Sequence, residues 1–213
     1  MTGNSGEQAL DGLWRFEAQH PDWTEDEGGE DGWEPSVAWW AIATPVGLVL
    51  VDPLVTDWNA LDGLVNAHGG CAGIVRTCHW HQRSITEAAR RYGAEVWAKR
   101  PPTQDDRWHP FDHGVASGQE AVGGLVAFDV ERADELALWV PAHAALIFGD
   151  AMLRRADGEP HRCPDSWTQP EGGITRLREV LGSLAQLPVR HVLVSHGPLV
   201  LSDAAVALRA AVN

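Results

Sequence analysis

Basic residues are scarce in this chain: 16 Lys and Arg stand against 30 Asp and Glu, a formal charge of −14 over 213 residues. Nothing basic is clustered enough to neutralise a run of phosphates, so nucleic acid is not an expected partner. The acidic surplus is read as a solubility device. No apolar stretch approaches the ~18 residues that a spanning helix needs, so no membrane partner is expected. Residues 1–10 have neither a basic start nor an apolar run, so no secretory signal is visible and the expected location is cytoplasmic. There are three cysteines, Cys71, Cys78 and Cys163, with no C-x-x-C pair and no hint of a disulfide framework. Tyrosine occurs once, whereas tryptophan occurs 11 times. Most of those indoles are expected in the core or at its rim, with a few lining a pocket.

What is present is a globular composition, 44% hydrophobic, long enough for one large domain over residues 1–213. Residues 13–18 read as a first strand, and 37–44 and 47–52 as a hairpin through Pro45, Val46 and Gly47. Residues 57–67 carry helical periodicity, with Leu61, Leu64 and Val65 on one face. A short apolar strand at 73–78 ends in His79-Trp80-His81. Ser84-Ile85-Thr86-Glu87 has the form of a capping box with Ser84 as N-cap, and Gly93 closes that helix. Further strands are expected at 96–98, 124–130, 136–140, 144–148 and 191–195, and helices at 174–187 and, capped by Ser202, at 203–212. Residues 152–173 read mostly as loop. Runs of strands with helices between them predict an α/β fold, a mixed sheet system with helices outside.

Three strand ends share one feature. The strands at 73, 144 and 191 run into His79-Trp80-His81, Gly149-Asp150 and Ser195-His196-Gly197. Each places a metal-capable or acid/base side chain just past an apolar strand, where open α/β sheets keep their ligand sites. Residues two apart in an extended segment point the same way. His79 and His81 are therefore expected to face one side, with Cys78 and Trp80 packed on the other. Two adjacent imidazoles suit a divalent metal; the plainer reading is a hydrogen-bonded pair at a strand end.

The run from His79 to Ser84, the later Phe148-Gly149-Asp150 and the final Ser195-His196-Gly197 resemble the metallo-β-lactamase superfamily in order and approximate spacing. Gly47-Leu48-Val49-Leu50-Val51-Asp52, a hairpin strand ending in Asp, matches that pattern too. The resemblance covers the chain from about residue 13 onward and implies a four-layer αββα sandwich with the site along one edge of the two sheets. Members are commonly metal-dependent hydrolases, with some redox enzymes and some inactive descendants. The family motif is His-x-His-x-Asp-His, and here Arg83 and Ser84 occupy its last two positions. Guanidinium carries only donors and cannot ligate a cation, so one metal is expected rather than two. The family supplies a third His shortly before the strand matching 136–140; Glu131, Asp134 and Glu135 occupy that neighbourhood, and ungapped counting puts Glu131 at the His position.

The resemblance implies a mononuclear hydrolase. His79, His81, Asp150 and Glu131 would hold one divalent metal, zinc first with iron or manganese as alternatives, and Asp150 and His196 would orient a water or carry its proton. The substrate would be a small ester, thioester or lactone-like molecule. Two further readings stand beside it: a mononuclear iron dioxygenase acting on a thiol, and a non-catalytic protein that kept the fold and lost the metal. Arg83, standing where a second cation would sit, either pairs with Asp150, holds an anionic substrate group, or is an exposed Arg ahead of a helix. Cys163 is either a reactive loop thiol or inert. His109 and His113 are expected at the surface. The acidic stretch 24–34 reads as a solvated loop, though in the resembled fold a connection between the first strands can act as a flap, closing Trp23 or Trp33 over a substrate.

Overall fold

The computed structural model describes residues 6–29, 32–100, 109–130, 135–154, 158–168, 172–200 and 203–211. In chain order the elements are β1 (Glu7–Leu10), β2 (Leu13–Gln19), β3 (Ser36–Thr44), β4 (Gly47–Val51), α1 (Trp58–Ala67), β5 (Cys71–Arg76), α2 (Ile85–Tyr92), β6 (Val96–Lys99) and β7 (His113–Val115). There follow β8 (Val126–Asp129), β9 (Leu136–Val140), β10 (Ala145–Phe148), β11 (Met152–Arg154), β12 (Pro160–Arg162), α3 (Gly173–Leu184), β13 (His191–Val194) and α4 (Ala204–Ala211). One sheet orders β1-β2-β3-β4-β5-β6-β7 and the other β13-β10-β9-β8, with β11 and β12 forming a separate hairpin.

Period-two alternation in the strands separates three apolar layers. In β3, Val37, Trp39 and Ala41 face α1 and α2, whereas Ala38, Trp40 and Ile42 face the second sheet. Leu61 and Val65 of α1 and Ile85 and Ala88 of α2 complete the outer layer on that side. The second sheet does the same in mirror image: Leu138, Ile147 and Leu193 point to the first sheet, and Trp139, Phe148 and Val192 to α3 and α4. These strands are apolar on both faces because both faces are covered. The result is a four-layer helix–sheet–sheet–helix sandwich.

Several local expectations change. Asp57 caps α1 by accepting the N–H groups of Asn59 and Ala60, each at 3.0 Å. Ser84 makes no such cap on α2; its hydroxyl accepts the Val55 N–H at 2.9 Å instead, tying the loop after β4 to the start of α2. Gly93 closes α2 with φ 63°, as the sequence indicates. Polar β1 was not foreseen, nor was the β11–β12 hairpin inside the stretch read as loop. Ser202 lies outside the described residues. Cys163 is fully buried against α3 and α4, and the reactive-thiol reading is corrected to core packing. His109 and His113 are exposed. No helix among the described residues is long and apolar enough to cross a membrane.

Candidate functional site

Four parallel-paired strands deliver the site. β4 and β5 run side by side in one sheet and β10 and β13 in the other, so all four carboxyl ends meet at one edge. The Ala38 N–H donates to the Ser195 carbonyl at 2.8 Å and stitches the two sheets together there. Just beyond β4 the Asp52 carboxylate accepts the Thr77 N–H at 2.8 Å through Oδ1, while its Oδ2 takes the Thr77 hydroxyl and lies 2.9 Å from His81 Nδ1. His81 Nε2 is in turn 3.1 Å from Asp150 Oδ1, and His196 Nε2 is 3.0 Å from that same oxygen. The other oxygen, Oδ2, accepts the Trp80 indole N–H at 2.6 Å and the Cys78 thiol at 3.5 Å. Asp52, His81, Asp150 and His196 are all buried.

Behind Asp150 stands Glu135, whose Oε1 accepts the N–H groups of Asp150 and Ala151 at 2.9 and 2.8 Å. Gly149 makes this packing possible: a Cβ there would sit 2.6 Å from Thr77 Oγ1 and 3.3 Å from both Glu135 Oε1 and His81 Cε1. Asp52 and Arg83 have φ of 50° and 36°, in the left-handed region that non-glycine residues seldom occupy. Such strain persists where the surroundings over-determine it, and it clusters at functional sites.

Electrostatics set the charge states. Burial pulls the His81 imidazole down and Arg83 adds to this, but the Asp150 and Asp52 carboxylates outweigh both and raise it to about 9. For Asp150, burial pushes upward, yet His81 and His196 hold the carboxyl well below the usual range. For His196 burial wins over its bond to Asp150, so that imidazole is lowered and stays neutral.

Above the cluster lies a cavity of about 590 Å³. His81, Arg83, Asp150 and His196 line its depth, and Trp33, Trp80 and Trp167 form aromatic walls. Trp33 meets His196 edge-on at a ring separation of 5.2 Å, and its indole N–H donates to Glu27 Oε2 at 3.2 Å. Asp22, Asp26 and Glu27 are exposed at the rim. A second cavity of about 360 Å³ shares Trp33 and His196 with the first.

No family model and no curated protein matches this sequence. Solved structures do. The DIM-1 metallo-β-lactamase superposes with a TM-score of 0.70 at 13% identity, over 99% of this chain and 97% of that one. FIM-1 from Pseudomonas aeruginosa, in its mono-zinc form, gives 0.68 at 15% identity over 99% and 95% of the two chains. A metallo-β-lactamase family protein of Thermus thermophilus gives 0.62 at 16% identity over 95% and 77%. This chain has the metallo-β-lactamase fold.

Within that fold the expected site residues separate into two groups. His81, Asp150 and His196 come together from three strand ends. His79 does not join them: its ring packs near Trp80 and His109, at centroid separations of 5.5 and 5.8 Å. The expectation that His79 and His81 point the same way is corrected, because residues 77–84 form successive turns and bends rather than an extended segment. Cys78, expected to face away, reaches Asp150 instead. Arg83 does not hydrogen-bond to Asp150; its Nη1 donates to the carbonyls of Ala38 at 3.2 Å and Asp52 at 3.1 Å. Glu131 and Asp134 lie outside the described residues. Thr77, Trp80 and the anchoring role of Glu135 were not foreseen.

The donor chemistry of the cluster fits a divalent ion. Ligand atoms of Cys78, His81 and Asp150 all lie within 4.8 Å of one another, the group of this kind found among the described residues. Nδ1 of His81 is held by Asp52, the outer-carboxylate arrangement usual for metal-binding histidines, and Nε2, 3.1 Å from Asp150 Oδ1, is free to face an ion once its proton has left. Thiolate, imidazole and carboxylate together suit a borderline-soft ion.

Proposed function

We propose that this chain is a metal-dependent hydrolase working with one divalent ion on a small ester, thioester or lactone-like molecule. Zinc is the first choice of ion, with iron or manganese behind it, because a cysteine sulfur, which would bind as thiolate, stands beside the imidazole and carboxylate. His81, Asp150 and Cys78 would hold it. The observation carrying the reading is the Asp150 carboxylate, reached by His81, His196 and Cys78 at the floor of a cavity large enough for a small substrate.

When bound, the ion supplies a water of lowered pKa and polarises the substrate carbonyl. The chain's own residues arrange everything else. Asp52 fixes the tautomer and plane of His81, while the Trp80 indole pins Asp150 Oδ2. Glu135 holds the backbone that carries Asp150. His196, lowered by burial and 3.0 Å from the carboxylate through Nε2, would with Asp150 orient the water or carry its proton. Trp33 and Trp167 narrow the cavity and exclude bulk water.

A panel of activated esters, thioesters and lactones, assayed on the whole chain after chelation and after zinc return, tests this reading. Hydrolysis that disappears and returns with zinc, and is lost in His196→Ala, is the expected result. Hydrolysis indifferent to chelation would overturn it. One observation favours a second reading, a ligand-binding protein without a metal: each Asp150 oxygen already has two donors, and His81 and Arg83 supply positive charge beside it.

A further inference from the structure

Arg83 is a cation in the site without a carboxylate in contact. Nη1 is used by the Ala38 and Asp52 carbonyls, Nε is buried without a partner, and Nη2 finds no acceptor among the described residues. The two nearby carboxylates are already engaged. Asp52 is taken by Thr77 and His81, and Asp150 by His81, His196, Trp80 and Cys78. A partly buried guanidinium held only by carbonyl dipoles bears a desolvation cost that a contacting anion would offset. The backbone at Arg83 is strained to φ 36° to put the side chain there.

The side chain lines the same cavity as His81, Asp150 and His196. At the rim, Asp22, Asp26 and Glu27 are exposed and screened within about 8 Å at physiological salt. The deep guanidinium is screened far less. This contrast disfavours polyanions, which the rim repels, and admits a small molecule with one negative group that reaches the floor.

We propose that Arg83 is a substrate-binding residue whose free guanidinium edge holds a single carboxylate-like group, making the substrate a monoanion. The inference rests on the cavity being the substrate site of the proposed hydrolase, and it names the substrate class for that site. The reacting carbonyl would then lie beside Asp150 and His196 while the anionic group is anchored a short distance away.

The test uses acetate as the probe on the whole chain, as purified and after chelation, followed by calorimetry and by the Arg83 side-chain NMR signal. Saturable binding that shifts the Arg83 Nε–H resonance is expected, weakened about tenfold or more in Arg83→Met. Arg83→Lys keeps the charge but loses the planar edge, so an intermediate affinity is expected. Melting curves of both variants report folding, and the NMR shift in the unsubstituted chain needs no variant. Equal binding by Arg83→Met, or no shift at Arg83, would overturn the proposal. Acetate binding that vanishes on chelation and ignores Arg83→Met places the anion on the metal and also overturns it, leaving the hydrolase reading intact. Binding that needs Arg83 in a chain that takes up no metal supports it while removing the metal reading.

Discussion

The Glu135 carboxylate accepts the Asp150 N–H from 15 residues earlier in the chain, at 2.9 Å, and the Ala151 N–H at 2.8 Å. An acid fully shielded from solvent thus holds in place the loop that carries the central carboxylate. Truncating Glu135 to Ala leaves two buried amides unpaired, a loss of about 3 kcal/mol. Glu135→Gln retains an acceptor and should lose less. Urea unfolding of both variants checks this, and equal midpoints for Glu135→Ala and the unsubstituted chain would refute it.

On the proposed metal site, protons and the ion would compete at His81. Without an ion its pKa stands at about 9, so metal uptake near neutral pH must displace a proton. Apparent metal affinity should therefore climb as pH rises toward that value. Calorimetry in buffers of different ionisation enthalpy should count at least one proton released per ion, and zero would contradict the assignment of His81 as a ligand.

Stability of the ion-free chain should fall off on both sides of neutrality. His81 is raised above its ordinary 6.5, so its contribution is full below 6.5 and fades as pH climbs through about 9. Asp150 is depressed below its ordinary 3.8, so its contribution is present above 3.8 and disappears as pH falls further. Thermal melts across this range, compared with Asp150→Asn, should show the acid limb flattened in the variant.

Gly149→Ala should damage the site without touching a charged group. The added methyl meets Thr77 Oγ1 at 2.6 Å. Relief requires moving Thr77, His81 or Glu135, at a cost of about 1–3 kcal/mol. A lower melting temperature together with weaker metal uptake is the expected pair of results; uptake as tight as in the unsubstituted chain would show that the crowding is absorbed elsewhere.

Ser84 separates local from tertiary roles. Ser84→Ala removes the acceptor of the Val55 N–H, so hydrogen exchange should accelerate at Val55 while the first amides of α2 keep their rates. Faster exchange confined to α2 would restore the capping-box reading.

Much of this was legible in the sequence, and the exceptions have physical causes. Doubly covered strands such as β10 and β13 announce themselves as short apolar runs, and their polar endings marked Asp150 and His196. The His79–His81 pairing failed because parity along a strand holds only while the chain stays extended, and here it turns at residue 77. β1 escaped because Glu7-Gln8-Ala9-Leu10 is an edge strand with little apolar content. Ser84 matched a local motif, yet a tertiary partner, the Val55 N–H, took its hydroxyl. Of the alternatives read for Arg83, the pairing with Asp150 is not formed, since nothing in one sequence reveals that Asp150 has its acceptor sites filled by residues from other segments.

In the proposed metal site one ion sits on His81, Asp150 and Cys78 and not on the His79–His81 pair. Elemental analysis of protein purified without chelators, on the unsubstituted chain and on His79→Ala, His81→Ala and Cys78→Ser, tests it most directly. About one equivalent is expected in the unsubstituted chain and in His79→Ala, with most of it lost in His81→Ala and Cys78→Ser. Two equivalents, none, or a loss in His79→Ala with Cys78→Ser unaffected would contradict it.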